Sequence, residues 1–213
     1  RRRLFFNTFS LHGGLRYDLS NSQDIGFNYS LSQRAPDIAE LFSDGLHHSI
    51  ATIEYGNPFL TKETNHKLVL DYSKTSGDFQ FNFSPYLTLS HDFILIEPEG
   101  VELTIRGAFP VWEFRAVDAA FKGIDVDLLY AAIKGVILKN NTSWISAKDT
   151  NADQPLVNIP PLSLRNSILV SPARWEKFSF ELNAKHVFRQ NHYPDHNFET
   201  NIVEDGQYIT KTI

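Results

Sequence analysis

The 213-residue chain contains no cysteine and no methionine. Without cysteine it can build neither a disulfide framework nor a zinc–thiolate centre, although this leaves its compartment open. Without methionine it has no initiator, so the sequence reads as a piece of a longer protein. No stretch reaches the roughly 18 apolar residues of a membrane helix. No charged start, apolar core and small-residue cleavage site follow one another as in a signal peptide, since polar residues break the apolar run of "RRRLFFNTFSLHGGL". A formal net charge of -5 excludes a basic nucleic-acid binder, so no nucleic-acid partner is expected. G-x-S-x-G, H-E-x-x-H and a phosphate-binding glycine loop are all missing, and no paired carboxylates fall at a helical spacing. The chain is therefore read as a non-enzyme.

What is present is alternation, in a chain that is 42% hydrophobic and 13% aromatic. "IGFNYSLS" places Ile25, Phe27, Tyr29 and Leu31 on one face and Gly26, Asn28, Ser30 and Ser32 on the other, the period of two of a pleated strand. "FQFNFSPYLTLS" repeats the pattern, and the apolar run in "DFILIEP" extends it. Similar alternation recurs around Phe9 to Tyr17, Leu68 to Tyr72, Ile124 to Tyr130, Val136 to Trp144, Leu162 to Val170 and Phe178 to Leu182. This makes about nine or ten strands.

The connections alternate in length. "DLSNSQD", "SKTSGD", "AAIKG" and "SPARWEK" are short, whereas Gln33 to Asn65, Glu97 to Phe121, Ala147 to Pro161 and Gln190 to Gly206 are long. Short turns at one end and long loops at the other describe an all-β, antiparallel up-and-down barrel, and in a transmembrane barrel the long loops face outside. A soluble barrel that binds a ligand also alternates, but would turn charge outward. Here the polar face is rich in Ser, Asn, Gln and Gly, as suits a watery lumen, and Tyr17, Tyr72, Tyr130 and Trp175 stand beside the short turns like a membrane-interface belt. Outer-membrane lipid is thus an expected partner. His12 and Asp92 fall on the polar parity and, with Arg34, Asp125 and Arg165, would line the lumen.

The first long connection, "RAPDIAELFSDGLHHSIATIEYGNP", holds the residues with most chemical content. Pro36 followed by Ile38, Leu41 and Phe42 predicts one or two helical turns stopped by Gly45. His47 and His48 follow, with Glu54 and Tyr55 just beyond, offering imidazole and carboxylate to a metal or a porphyrin iron. A second group, His192, Asp195 and His196 in "HYPDH", lies in a loop at the same end, so the two loops would form a histidine and carboxylate cluster if they met. Solvated loop histidines without any ligand are the plainer alternative.

These residues also carry a resemblance. "QRAPDIAELFSDGLHH…EYGNPFLTKETNHKLVLDY" resembles the segment of TonB-dependent outer-membrane receptors in which an Arg-Ala-Pro strand end leads to Glu-Leu, Gly and His, an Asn-Pro-x-Leu turn and a Glu before the next strand. "WEFRAVDAAFKGIDVDL" is similar to a later signature of that family, and "NIPPLSLRNSI" to a subsequent strand start.

The resemblance implies that residues 1–213 are part of the barrel domain of such a receptor, about 10 strands of a 22-stranded plugged barrel, with the plug and the last strands lying outside the sequence. It implies capture of a scarce nutrient at the extracellular face and import with energy from the inner-membrane TonB complex, contacted through the plug. No cofactor would be permanently bound; the transported ligand would be zinc, haem or a ferric chelate, including a siderophore. In haem receptors a histidine between the Arg-Ala-Pro and Asn-Pro-x-Leu segments contributes an iron ligand, and His47 or His48 occupies that interval. An outer-membrane barrel enzyme and a soluble β-barrel binder remain the alternative readings.

Overall fold

A computed structural model describes residues 4–172, 174 and 178–194. No helix in it is long and apolar enough to cross a membrane. The wall is built instead from strands: β1 (Ser10–Ser20), β2 (Gln23–Arg34), β5 (Glu63–Ser76), β6 (Phe79–Thr104), β7 (Gly107–Ile133), β8 (Val136–Asp149), β10 (Ser163–Val170) and β11 (Phe180–Val187). They pair in that order, each antiparallel to the next. Three tight turns fall where the short connections "DLSNSQD", "SKTSGD" and "AAIKG" predict them, while most of "SPARWEK" lies outside the described residues. Gly77 and Gly135 take φ of 54° and 83° in two of these, a region glycine enters without steric cost.

Register explains the two faces. Asp18, Asp24, Ser73, Asn82, Asp127, Asn141, Arg165 and Lys185 stand side by side in one row across all eight strands, every member polar. The next row, on the opposite face, is Tyr17, Ile25, Tyr72, Phe83, Val126, Thr142, Leu164 and His186. The apolar face carries exposed Leu15, Phe27, Leu70, Leu87 and Phe180, which suits lipid as solvent. The polar face is concave. A hollow of about 690 Å³ lies along it beside His12, Arg16, Asp24, Asn28, Asp71 and Asp127.

Several expectations change. The stretch from Glu97 to Phe121 is not a loop, because β6 and β7 run on as one hairpin to a turn at Ile105 and Arg106. Strands of 26 and 27 residues reach roughly 85 Å, against the 9–11 residues needed to span a bilayer. β5 leaves β6 at His91, and β8 leaves β7 at Ala119, so beyond that level the hairpin stands clear of the wall. A bulge marks the step: register slips between Ser90 and Phe93, and Asp92 has a φ of 54°. Asp92 therefore does not continue the lumen row expected of it; its carboxylate accepts a hydrogen bond from Thr61 Oγ1 at 2.7 Å.

The helix is real but short. α1 (Ile38–Phe42) starts after Asp37, whose backbone N–H donates to the Glu40 carboxylate at 2.7 Å. It ends at Ser43 rather than at Gly45, which lies within the small strand β3 (Asp44–His47). β3 pairs with β4 (Thr52–Tyr55), and β4 lies parallel to β7 through Ile53 opposite Val111. A two-residue strand, β9 (Gln154–Pro155), caps the top of β8.

Loops pack on both faces of the projecting hairpin. Leu41 and Leu60 bury against Ile94, with Phe114, Ala116, Leu4 and Phe6 around them. On the other face Leu156 buries against Leu95, Ala119 and Ala147, beside Phe93, Val117 and Ile159. Each buried leucine contributes about 1.5–3 kcal/mol, which is what holds these long connections down. Of the belt residues, Tyr17, Tyr72 and Tyr130 stand near the turns as expected, while Trp175 lies outside the described residues.

Candidate functional site

Arg34 begins the site. It is the last residue of β2 and directly faces Glu63, the first of β5. Its guanidinium bonds Glu40 of α1 at 2.9 Å and Glu63 at 3.0 Å, a fork that a planar five-donor group can span. Glu63 is buried and also accepts from Asn65 Nδ2 at 2.6 Å and from the Ile94 N–H at 3.3 Å. Arg34 thus ties helix, strand and projecting hairpin together.

The return of the connection is equally fixed. Gly56 donates its N–H to Ser43 O at 2.7 Å and Asn57 to Glu40 O at 2.8 Å. A Cβ on Gly56 would lie 2.6–2.7 Å from the backbone of Leu41, Phe42 and Ser43, so only glycine lets the chain pass this close to α1.

Between these two anchors stands the β3–β4 hairpin. His47 lies opposite Thr52, and its Nδ1 is 2.9 Å from Glu54 Oε1. His47 is about half exposed, with 53% of its side chain accessible, and it is Nδ1 rather than Nε2 that Glu54 engages. The Thr52 hydroxyl is buried and without a hydrogen-bond partner among the described residues. His48 is exposed at the start of the turn that follows. Tyr55 donates its hydroxyl to Glu102 at 2.7 Å, which raises the phenol pKa above its ordinary value of 10.0. Below them Arg115 pairs with Glu97. Burial pushes the Glu97 carboxyl up from 4.5; Arg115 opposes this, and Asp149 and Glu99 add to it.

Of the residues singled out from sequence, His47, Glu54 and Tyr55 come together on one hairpin, and Arg34 braces its base. Asp92 sits apart at the bulge. His192 lines a different groove, between β8 and the end of β11, and Asp195 and His196 lie outside the described residues. Among the described residues no group of three or more His, Cys, Asp or Glu is placed to hold a metal ion. Glu40, Glu63, Glu97, Glu102 and Arg115 escaped the sequence reading as site residues. For Glu63 a signal existed, since the strand it opens must pair with the strand Arg34 closes.

Solved structures share this architecture. The chain is similar to the copper transporter OprC at 20% identity and a TM-score of 0.69, covering 85% of this chain and 26% of that one. It is similar to the siderophore receptors PirA from Acinetobacter baumannii (14% identity, TM-score 0.66, 92% and 31% covered) and PirA from Pseudomonas aeruginosa (13%, 0.65, 83% and 33%). The chain therefore spans only about a quarter to a third of the length of these structures. No curated protein matches it. Residues 2–210 match the family model described as "TonB dependent receptor-like, beta-barrel". With a lipid-facing apolar row, a polar concave wall and a match over almost its full length, the chain belongs to the TonB-dependent receptor β-barrel family of the Gram-negative outer membrane.

Proposed function

We propose that this chain forms part of the wall and extracellular mouth of a receptor that captures a metal already held in a chelate, haem or a ferric siderophore, and imports it with TonB-derived energy through a plug domain. The observation that carries the reading is the His47–Glu54 pair at 2.9 Å on the outward hairpin. A carboxylate holding one imidazole nitrogen fixes the orientation of the ring and leaves the other nitrogen for a metal, as it does for metal-ligating histidines. Glu54 is then a positioning residue, and His47 Nε2 the donor. His48, exposed at the start of the turn that follows, offers a second imidazole for the periphery of the ligand.

A bare zinc ion normally takes three or four protein ligands, whereas one axial histidine suffices for haem iron. A single oriented imidazole thus favours a cargo that brings its own donors. The siderophore receptors and the copper transporter among the similar structures support a metal cargo of this general kind. No covalent step is involved, so the reading is of a transporter rather than an enzyme.

The test is titration of the full-length receptor with haem, a ferric siderophore and zinc chloride, repeated with His47→Ala. Binding of haem or the ferric chelate that weakens tenfold or more in the variant, a loss of the order seen when metal-site residues are removed, supports the reading. Equal affinity in both proteins overturns the role of His47, and tight binding of zinc alone overturns the chelate.

A further inference from the structure

Outside the His47 hairpin, titratable side chains from four neighbouring strands meet on the outer face of the wall. Tyr29 of β2, His66 of β5, His91 of β6 and Asp118 of β7 form one chain of contacts. Register brings the two histidines together: His66 lies opposite Leu89 and His91 opposite Thr64, so they are diagonal neighbours on one face. That face is the apolar one, since His66 also stands beside Leu31.

Their height in the wall matters. The 9–11 residues that cross a bilayer, counted along β5 from its tight-turn end at Ser76, run out at about His66. The pair therefore stands at the outer boundary of the hydrocarbon, where water and ions from outside reach it. Thr64 opposite His91 is the last β5–β6 pair before the bulge at Asp92, so the histidines mark the point where the two strands part.

Each ring is held through one nitrogen. His66 Nδ1 lies 2.8 Å from the Tyr29 hydroxyl, and His91 Nδ1 lies 3.3 Å from Asp118 Oδ1. With the proton on Nδ1 the imidazole donates both of these bonds, and each Nε2 keeps its lone pair for a ligand. Outer partners fix metal-ligating histidines in the same way. The ring centroids are 6.1 Å apart at an interplanar angle of 85°. Two imidazoles bonded to one ion at about 2.0–2.1 Å have centroids roughly 5–6 Å apart, so this spacing admits a shared ion.

The donors select the ion. Two imidazoles completed by water suit copper, zinc or nickel, and copper(II) most strongly of the three, whereas calcium and magnesium require oxygen ligands. We infer that His66 and His91 hold a divalent transition-metal ion, copper(II) above the others, with Tyr29 and Asp118 as positioning residues. The ion fastens β5 to β6 where they part, and it is separate from the cargo and from His47.

The experiment titrates the full-length receptor in detergent micelles with copper(II) chloride alone and reads the nitrogen splitting by electron paramagnetic resonance. Wild type is expected to show two imidazole nitrogens on one ion, and excess calcium chloride is expected not to displace it. His66→Ala and His91→Ala should each leave one nitrogen and weaken binding about tenfold or more, and Asp118→Ala should weaken it about tenfold with both nitrogens kept. Bound copper should slow hydrogen exchange over residues 64–66 and 90–93 in wild type and not in the histidine variants. His47→Ala should change none of these readings, which separates this site from the cargo reading. Should His66→Ala fail to fold, His91→Ala alone carries the comparison, since the His91 side chain is 65% exposed. The inference is overturned by equal copper affinity in wild type and the histidine variants, by a single imidazole nitrogen in wild type, by exchange that copper leaves unchanged, or by a loss in His47→Ala as large as that in His91→Ala.

Discussion

Arg34 and Glu63 meet at 3.0 Å where two neighbouring strands leave the wall, and the second carboxylate on Arg34, Glu40 at 2.9 Å, belongs to the helix that the intervening connection forms. Arg34→Ala leaves buried Glu63 with only Asn65 and the Ile94 N–H as donors. We expect a loss of about 1–3 kcal/mol in the docking of the connection, the lower end reflecting the partial exposure of Arg34. Hydrogen exchange should read this as faster exchange across residues 38–60 with the amides of β5 and β6 unchanged. Arg34→Lys should recover only part of it, because a point charge cannot bond both carboxylates at once.

Gly56 tests the same docking from its other end. In Gly56→Ala the new Cβ meets backbone at 2.6–2.7 Å, and backbone cannot rotate away. The expected outcome is displacement of α1 and weaker cargo binding, with an unchanged melting temperature of the barrel in detergent. An unchanged affinity would show that the hairpin keeps its place without α1.

Glu54→Gln separates orientation from charge at the candidate ligand. Glutamine still accepts a hydrogen bond from His47 but brings no negative charge to the ring, and 10- to 100-fold weaker binding of the metal chelate is the scale expected when a supporting carboxylate is lost. Titration calorimetry of the full-length receptor checks it. Binding as tight as wild type would remove Glu54 from the site.

The pH response follows from Glu97. Its carboxyl is pushed above the ordinary 4.5 by burial, so the folded protein holds this proton more tightly than the unfolded chain. Stability from this group is full below 4.5 and falls as pH rises through the folded value. Hydrogen exchange over residues 93–117 should therefore quicken as pH rises through that window, after correction for intrinsic exchange, and Glu97→Gln should flatten the response. A profile of the opposite slope would mean that Arg115 outweighs burial.

The two faces of the wall predict opposite tolerances. Val126→Lys puts a charge in the lipid-facing row and is expected to cost about 2–4 kcal/mol near the bilayer midplane. Asn82→Lys, one row away on the lumen face, should be nearly neutral. Denaturant unfolding in phospholipid vesicles measures both.

Much of this was legible in the chain. Ile25, Phe27 and Tyr29 could only share one face of a strand, and "SKTSGD" could only be a turn, because side-chain parity and turn conformation are set within a few residues. The projecting hairpin was not legible from Glu97 to Phe121. Pro98, Gly100, Gly107 and Pro110 read as loop punctuation, yet once β5 and β8 fall away they lie on edges where a missing N–H or a bulge is tolerated.

By itself, then, the sequence determined an all-β wall with one face for lipid and one for water, the end at which its long connections lie, and the stretch that carries His47 and Glu54. Tertiary structure alone decided that Arg34 would clamp Glu40 and Glu63, that His47 would turn to Glu54 rather than to His192, and that His66 and His91 would meet where β5 and β6 part. The physical reason is range: alternation is a property of adjacent residues, whereas these pairings depend on which strands run on and which stop, and that is settled only when the sheet is assembled.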